Sequence, residues 1–494
     1  MGWSKYQDAI YDFVQGGQGN LVVVARAGSG KTTTICEACD RIPKNKRVLV
    51  CAFNNKIRDE LTARLSKLRH VTVKGLHQMG LGAMMRHRGG KLAVERYRVS
   101  DYIRRLIPDE YKDYRGDVIK LVSMCMANLA VTEDAVVATM YAYDLIPTAP
   151  RDAPLYVQWA RAALAFSEKP ASAISFDEQI YLPARFNLST GSYDVVLVDE
   201  AQDLNACQYR LALNAVRPGG RIIAVGDDRQ AIYAFRGADS DALGRLQRDL
   251  NATVLPLSKT YRCPKSVVRL AQTIVEDFEA GEDNPEGRVL IVNEKTFLDG
   301  VAPGDAVISR TNAALMKYCM ALLVRGKRAR IVGKDLSAKL DSLLSRTTTT
   351  QLAPALKEMA AYVDEEAERL EAAKKEDKAE ELRDNLEAIQ AISSGLSSVN
   401  ALRSKLSALF AEDESGRDYG TIPCMTVHKA KGLEFDNVWM LESTFRIGSV
   451  EGANLYYVAI TRAKSQLCLV QVPRSDGKEV PSIALTELQF KPTG

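Results

Sequence analysis

The chain has 494 residues, 46% hydrophobic and 26% charged, an ordinary globular balance in a chain too long for one core, so about three or four domains or subdomains are expected. The 66 Lys and Arg against 62 Asp and Glu leave a net charge of +4, too little to argue for a polyanionic partner without local clustering. No apolar run approaches the roughly 18 residues of a membrane span, and residues 1–20 lack the charged-then-apolar order of a signal peptide, so a cytoplasmic protein with no membrane partner is expected.

In chain order, an amphipathic helix beginning near Tyr6-Gln7-Asp8 runs to Gly16-Gly17, and the two-sided amide of Gln7 can read an adenine edge. Leu21-Val22-Val23-Val24 then reads as a buried strand. It enters Ala25-Arg26-Ala27-Gly28-Ser29-Gly30-Lys31-Thr32 and a helix over residues 33–39. Strand, glycine turn and helix in this order form a cradle for a nucleoside triphosphate. Backbone N–H groups converge on the phosphates, Lys31 reaches the β/γ-phosphates and Thr32 can ligate Mg²⁺. Ala25 stands where the phosphate-loop pattern has Gly. Cys36 and Cys39, two of nine scattered cysteines, lack a second pair at metal spacing and read as packing.

Residues 47–53 form a strand ending in Phe53, followed by Asn54-Asn55-Lys56 and a helix; residues 71–77 repeat the pattern and end at His77. Strands alternating with helices predict a parallel sheet with ligands at the strands' carboxyl ends. Residues 84–185 read as mostly helical, broken at Pro108, Pro147, Pro150, Pro154 and Pro170, and are taken as an insertion. Sheet character returns at residues 193–198 and runs into Asp199-Glu200-Ala201-Gln202-Asp203, where one acid can hold Mg²⁺ and the next can prepare a water. Another strand, residues 221–225, precedes Gly226-Asp227-Asp228-Arg229-Gln230-Ala231-Ile232-Tyr233-Ala234-Phe235-Arg236-Gly237. Here Gln230 can sense a γ-phosphate, and Tyr233 and Phe235 can offer rings to bases, each stack contributing about 1–3 kcal/mol. Helix-favouring composition over residues 365–392, with Leu370, Leu382, Leu386, Ile389 and Ile392 near helical spacing, predicts a helical hairpin packed on its neighbour, with a docking surface for a protein partner as the alternative.

These segments, with Leu257-Ser258-Lys259-Thr260-Tyr261-Arg262, Thr426-Val427-His428-Lys429-Ala430-Lys431-Gly432-Leu433-Glu434-Phe435 and Tyr457-Val458-Ala459-Ile460-Thr461-Arg462-Ala463-Lys464, resemble in order the motifs of the UvrD/Rep/PcrA family of superfamily 1A DNA helicases. The resemblance implies an α/β fold of two RecA-like P-loop NTPase domains with parallel sheets, each carrying a mainly helical insertion. The implied boundaries are 1–84 and 187–258 for the first domain, 85–186 for its insertion, 259–344 and 417–494 for the second domain, and 345–416 for a reduced second insertion. A fused nuclease domain is not expected.

By the same resemblance, ATP and Mg²⁺ are the cofactors. Gln7, Ala27, Gly28, Ser29, Gly30, Lys31, Thr32, Thr33, Tyr261, Arg262, Glu434 and Arg462 contact nucleotide, Thr32 and Asp199 hold metal, and Lys31, Glu200, Gln230, Arg262 and Arg462 act in hydrolysis. Arg262 and Arg462 are expected to cross toward phosphates held by Lys31. Phe53, Asn54, His77, Tyr233, Phe235, Arg236 and His428 are the DNA-facing set, and Glu434 couples the two ligands. The implied activity is 3′–5′ translocation on single-stranded DNA with duplex unwinding at forks, in a bacterial or phage-infected cell; RNA is not the expected polymer. The alternative is a translocase that displaces proteins or powers a partner nuclease. Three departures bear on this. Thr33 stands where relatives often carry Arg, which loosens base selectivity. Gly75 replaces a usual Thr, and Asp476, within Arg474-Ser475-Asp476-Gly477-Lys478-Glu479-Val480, stands where a strand-separating hairpin can carry an aromatic.

Overall fold

The computed structural model describes residues 2–16, 18–147, 149–232, 241–372, 376–409, 420–472 and 481–489. Tyr233, Phe235, Arg236 and the segment around Asp476 lie outside the described residues. The chain divides into two compact units, residues 1–259 and 260–494.

In the first unit, β1 (Leu21–Ala25), β2 (Val48–Ala52) and β3 (Val71–Gly75) are followed by a small parallel pair, β4 (Ala93–Val94) with β5 (Ala173–Ile174), and then by β6 (Tyr193–Val198), β7 (Val216–Gly226) and β8 (Thr253–Leu257). Six of these form one parallel sheet in the order β3-β2-β6-β7-β1-β8. Parallel strands buried on both faces carry near-continuous apolar runs, and β1, β2 and β6 do so. Alternate residues serve opposite faces. Leu21, Val23, Val50, Leu197 and Val225 pack with Ile10, Tyr11, Ile35 and Leu61 from helices α1 (Lys5–Gly16), α2 (Lys31–Arg41) and α3 (Asn55–Leu65). Val22, Leu49, Val196 and Ile222 pack toward α4 (Leu76–Arg88) and join one continuous core with Ile103, Leu121, Met140, Tyr156 and Trp159 of the helical insertion.

That insertion contains helices Arg98–Leu106, Arg115–Asn128, Glu133–Ala142 and Ala153–Glu168. Pro154 opens the last of these rather than ending a helix, since a first-turn residue has no N–H bond to lose. Among the described residues, no single helix is long and apolar enough to cross a membrane.

A short pair, β9 (Lys259–Thr260), which runs across the unit boundary, and β10 (Glu279–Ala280), is followed in the second unit by β11 (Arg288–Asn293), β12 (Ala306–Ser309), β13 (Ala329–Ile331), β14 (Ile422–Thr426), β15 (Phe435–Leu441) and β16 (Ala463–Gln471). The last six form a second parallel sheet, β11-β16-β15-β12-β14-β13. The two parallel six-stranded sheets are those of two RecA-like domains.

Helices Leu352–Ala372, Glu376–Ser393 and Val399–Leu409 follow β13. Leu386, Ile389 and Ile392 are buried in the same core as Val307, Leu315, Cys319 and Trp439, so this insertion packs on its own sheet's helical layer. Asp384 reinforces the join by accepting the free N–H groups of Asn312 (2.7 Å) and Ala313 (2.9 Å) at the start of helix Asn312–Val324. Buried Glu442, just after β15, accepts from Tyr456 Oη at 2.6 Å, Ser482 Oγ at 2.7 Å and the Ala484 N–H at 3.0 Å, fastening residues 482–484, beyond β16, to the sheet.

Candidate active site

The chemistry-bearing segments of the first unit emerge at the carboxyl ends of its strands. After β1, Gly28 (φ 69°) and Gly30 (φ 81°) adopt left-handed backbone, the conformation glycine takes without a Cβ penalty. Gly30 is also the N-cap of α2, so Lys31 and Thr32 open the helix whose unpaired N–H groups attract anions. Gln7 Nε2 donates to Thr34 Oγ1 at 3.3 Å, and Ser4 donates to Gln7 Oε1, which places the Gln7 amide beside α2.

Asp199 and Glu200 follow β6. Glu200 has φ 52° and ψ 44°, a left-handed conformation uncommon in a residue with a side chain and concentrated at functional positions. Its carboxylate accepts from Lys31 Nζ at 2.7 Å and from Gln202 Nε2 at 2.6 Å. Burial alone would lower the lysine's pKa; the nearby carboxylates of Glu200, Asp199 and Asp227 outweigh it and raise the value, so Lys31 is charged. Asp199 is buried, and that burial, with the Glu200 charge beside it, pushes its carboxyl up to about 7. The Thr32 hydroxyl and the Asp199 carboxylate are oxygen donors of the kind Mg²⁺ takes, and a cation would relieve the repulsion between adjacent acids, so the residues fit a Mg²⁺–nucleotide complex.

After β7, Asp227 donates its N–H to Gln202 Oε1 at 3.0 Å and accepts from Gln230 Nε2 at 2.7 Å. Lys31, Glu200, Gln202, Asp227 and Gln230 are therefore linked without a break across three strand ends. Gly226 permits this: a Cβ there would lie 2.5 Å from Gln202 Oε1.

Phe53 follows β2, and His77 lies in the first turn of α4; both line a cavity of about 290 Å³ with Ser123, Phe176 and Asn205. His77 stacks on Phe176 with centroids 3.9 Å apart, and Phe176 remains 53% exposed. Burial lowers the His77 pKa to about 4, keeping the ring neutral. Asn54 serves locally as the N-cap of α3, accepting from the Ile57 N–H at 2.9 Å.

Within the second unit, three distant segments meet. Arg262 Nε donates to Glu434 Oε2 at 2.6 Å, while Arg462, 1% exposed, donates to the carbonyls of Val458 (2.8 Å) and Leu433 (3.2 Å) and to Thr461 Oγ1 (3.1 Å). Tyr261 is 48% exposed beside this group. His428 lies on the short helix Val427–Ala430 and is half-buried.

Several contributors were not singled out in the sequence. Gln202 was visible inside the Asp-Glu-Ala-Gln-Asp string, and Phe176 was an aromatic at the end of the insertion. Arg64, which donates to Thr33 Oγ1 at 3.0 Å, leaves no sequence signal because it lies 31 residues away in the chain.

Residues 14–236 match the profile of an AAA domain, and residues 334–473 match that of a UvrD-like helicase C-terminal domain. The ATP-dependent DNA helicase PcrA of Staphylococcus aureus is 25% identical over 304 residues, covering 55% of this chain and 39% of the relative. The putative ATP-dependent DNA helicase YjcD of Bacillus subtilis is 23% identical over 352 residues, covering 60% of this chain and 44% of the relative. The matches thus span less than half the length of these curated relatives. The two profiles fall one on each unit, in the order of the motif-bearing strand ends, and together with these relatives they support a UvrD/PcrA-like helicase.

Proposed function

We propose that the chain is an ATP-dependent DNA helicase that moves 3′ to 5′ along single-stranded DNA and unwinds duplex at forks. The observation that carries this reading is the unbroken relay from Lys31 through Glu200, Gln202 and Asp227 to Gln230. It ties a phosphate-holding lysine to an acid suited to activating water and to an amide suited to sensing the phosphate. The aromatic cavity of Phe53 and His77 opens at the same sheet edge. A motor needs both sites on one frame.

Lys31 and the loop Ala27-Gly28-Ser29-Gly30 hold the triphosphate, with Thr33 beside it. Gln7 and Tyr261 recognise the adenine, the first by its amide and the second by stacking. Thr32 and Asp199 hold Mg²⁺, which when bound neutralises phosphate charge. Glu200 orients the attacking water and accepts its proton, and Gln230 reports the γ-phosphate. Arg262 and Arg462 supply transition-state charge, a contribution of about 10³–10⁵ in rate for arginine fingers. Glu434 links this step to DNA through Arg262. Phe53, Asn54, His77 and His428 face the strand, and Tyr233, Phe235 and Arg236, outside the described residues, complete the DNA-binding set.

Duplexes bearing a single-stranded tail at only one end test the proposal. With ATP and Mg²⁺, separation of the 3′-tailed duplex and not the 5′-tailed one is expected. Turnover and translocation without separation would reassign the chain as a translocase, and preference for the 5′ tail would overturn the polarity.

A further inference from the structure

Arg26 lies inside the glycine turn, and none of the roles above uses it. Its guanidinium is largely buried, with Nη1 at 2.5 Å from Asp228 Oδ1 and 3.3 Å from Asp227 Oδ1. A charge so enclosed persists only with matched partners. Asp227 is fully buried, and its two oxygens divide the work. Oδ1 accepts from Arg26 and from the Arg229 N–H, while Oδ2 accepts from Gln230 Nε2. Burial pushes the Asp227 carboxyl up, and the Arg26 and Lys31 charges oppose that, favouring the ionised form that can hold Gln230. The backbone of Arg26 is fixed as well: its N–H donates to the Leu257 carbonyl at 3.0 Å, and its carbonyl accepts from the Ser29 N–H at 3.2 Å.

We propose that Arg26 is a positioning residue for hydrolysis, which bridges the phosphate turn to Asp227 and Asp228 and so sets where Gln230 stands relative to the phosphates. The proposal rests on the motor reading above. A residue that positions Gln230 acts after nucleotide has bound, so its loss lowers kcat and leaves KM for ATP unchanged. Both carboxylates meet the one nitrogen Nη1, so lysine keeps the charge but loses the planar guanidinium whose geometry fixes that nitrogen between them.

The test compares steady-state ATP turnover, with and without single-stranded DNA, for wild type, Arg26→Ala, Arg26→Lys, Asp228→Asn and the Arg26→Ala/Asp228→Asn pair. For Arg26→Ala, kcat is expected to fall about tenfold with KM for ATP within about twofold of wild type. Arg26→Lys and Asp228→Asn should fall between, and the double variant should match Arg26→Ala, because both changes break one bridge. Asp228 is 41% exposed, so Asp228→Asn and Arg26→Lys carry the test if Arg26→Ala does not fold. Wild-type kcat in these variants, or a rise in KM with kcat intact, overturns the proposal. If wild type itself gains nothing from DNA, the motor reading fails, and the kcat comparison on basal turnover still decides the role of Arg26.

Discussion

Lys31 Nζ lies 2.7 Å from Glu200 Oε2, so the cation that would hold phosphate and the acid that would activate water are ion-paired with each other. Arriving phosphate must take Lys31 from Glu200, which frees the carboxylate for water. Glu200→Gln removes the competing charge together with the base. Turnover is expected to fall by about 10²–10⁴, while ATP binds at least as tightly as to wild type. Equilibrium binding of a fluorescent ATP analogue beside a phosphate-release assay measures both. Weaker binding in this variant would show that Glu200 supports the nucleotide rather than competing for Lys31.

Gly226→Ala places a methyl group against Gln202, whose Oε1 and N–H would lie 2.5 Å and 3.0 Å from the new carbon. Neither can retreat without breaking the hydrogen bond from the Asp227 N–H. The expected cost is about 1–3 kcal/mol, read as a lower denaturation midpoint with an unchanged m-value. Turnover should fall with it, since the relay to Gln230 passes through this point.

His77 should stay neutral through the physiological range. An unfolded histidine titrates near 6.5, whereas burial holds His77 near 4. Between those values the unfolded chain binds a proton that the folded chain refuses. The stability contributed by neutral His77 is therefore complete above about 6.5 and lost as pH falls toward 4. NMR of the imidazole C–H resonances checks this directly: no shift is expected between pH 8 and about 5. A midpoint near 6.5 would mean the ring is solvated and the stack on Phe176 is open.

Asp384 caps helix Asn312–Val324 from within the second insertion. Asp384→Ala should cost about 1 kcal/mol, within the range for a lost N-terminal cap. Hydrogen exchange is expected to quicken at Asn312 and Ala313 and along Glu376–Ser393 together. Quickening confined to one of the two would show that the insertion moves independently of its sheet.

The phosphate turn was legible because its chemistry is local. An apolar run, two glycines that must take positive φ and Gly-Lys-Thr lie within a dozen residues. Asp199 and Glu200 were legible for the same reason, at the end of an apolar strand. The left-handed backbone of Glu200 was not, since no residue type announces it. Nor was the bridge from Arg26 to Asp227, which depends on β1 and β7 being neighbours though some 200 residues apart; the one hint was a large charged residue among small ones in the turn. The second insertion shows the limit of periodicity. Apolar spacing gave the buried face of residues 382–392, but not that Asp384 would close the end of a helix 72 residues earlier.

ATP turnover measured in parallel with single-stranded DNA, duplex DNA, RNA and no polymer tests the central claim most directly. Single-stranded DNA is expected to raise kcat well above the other three, with the gain abolished in Glu200→Gln and weakened steeply by salt, as backbone contacts require. Equal rates in all four conditions, or stimulation by RNA alone, would contradict a motor that runs on single-stranded DNA.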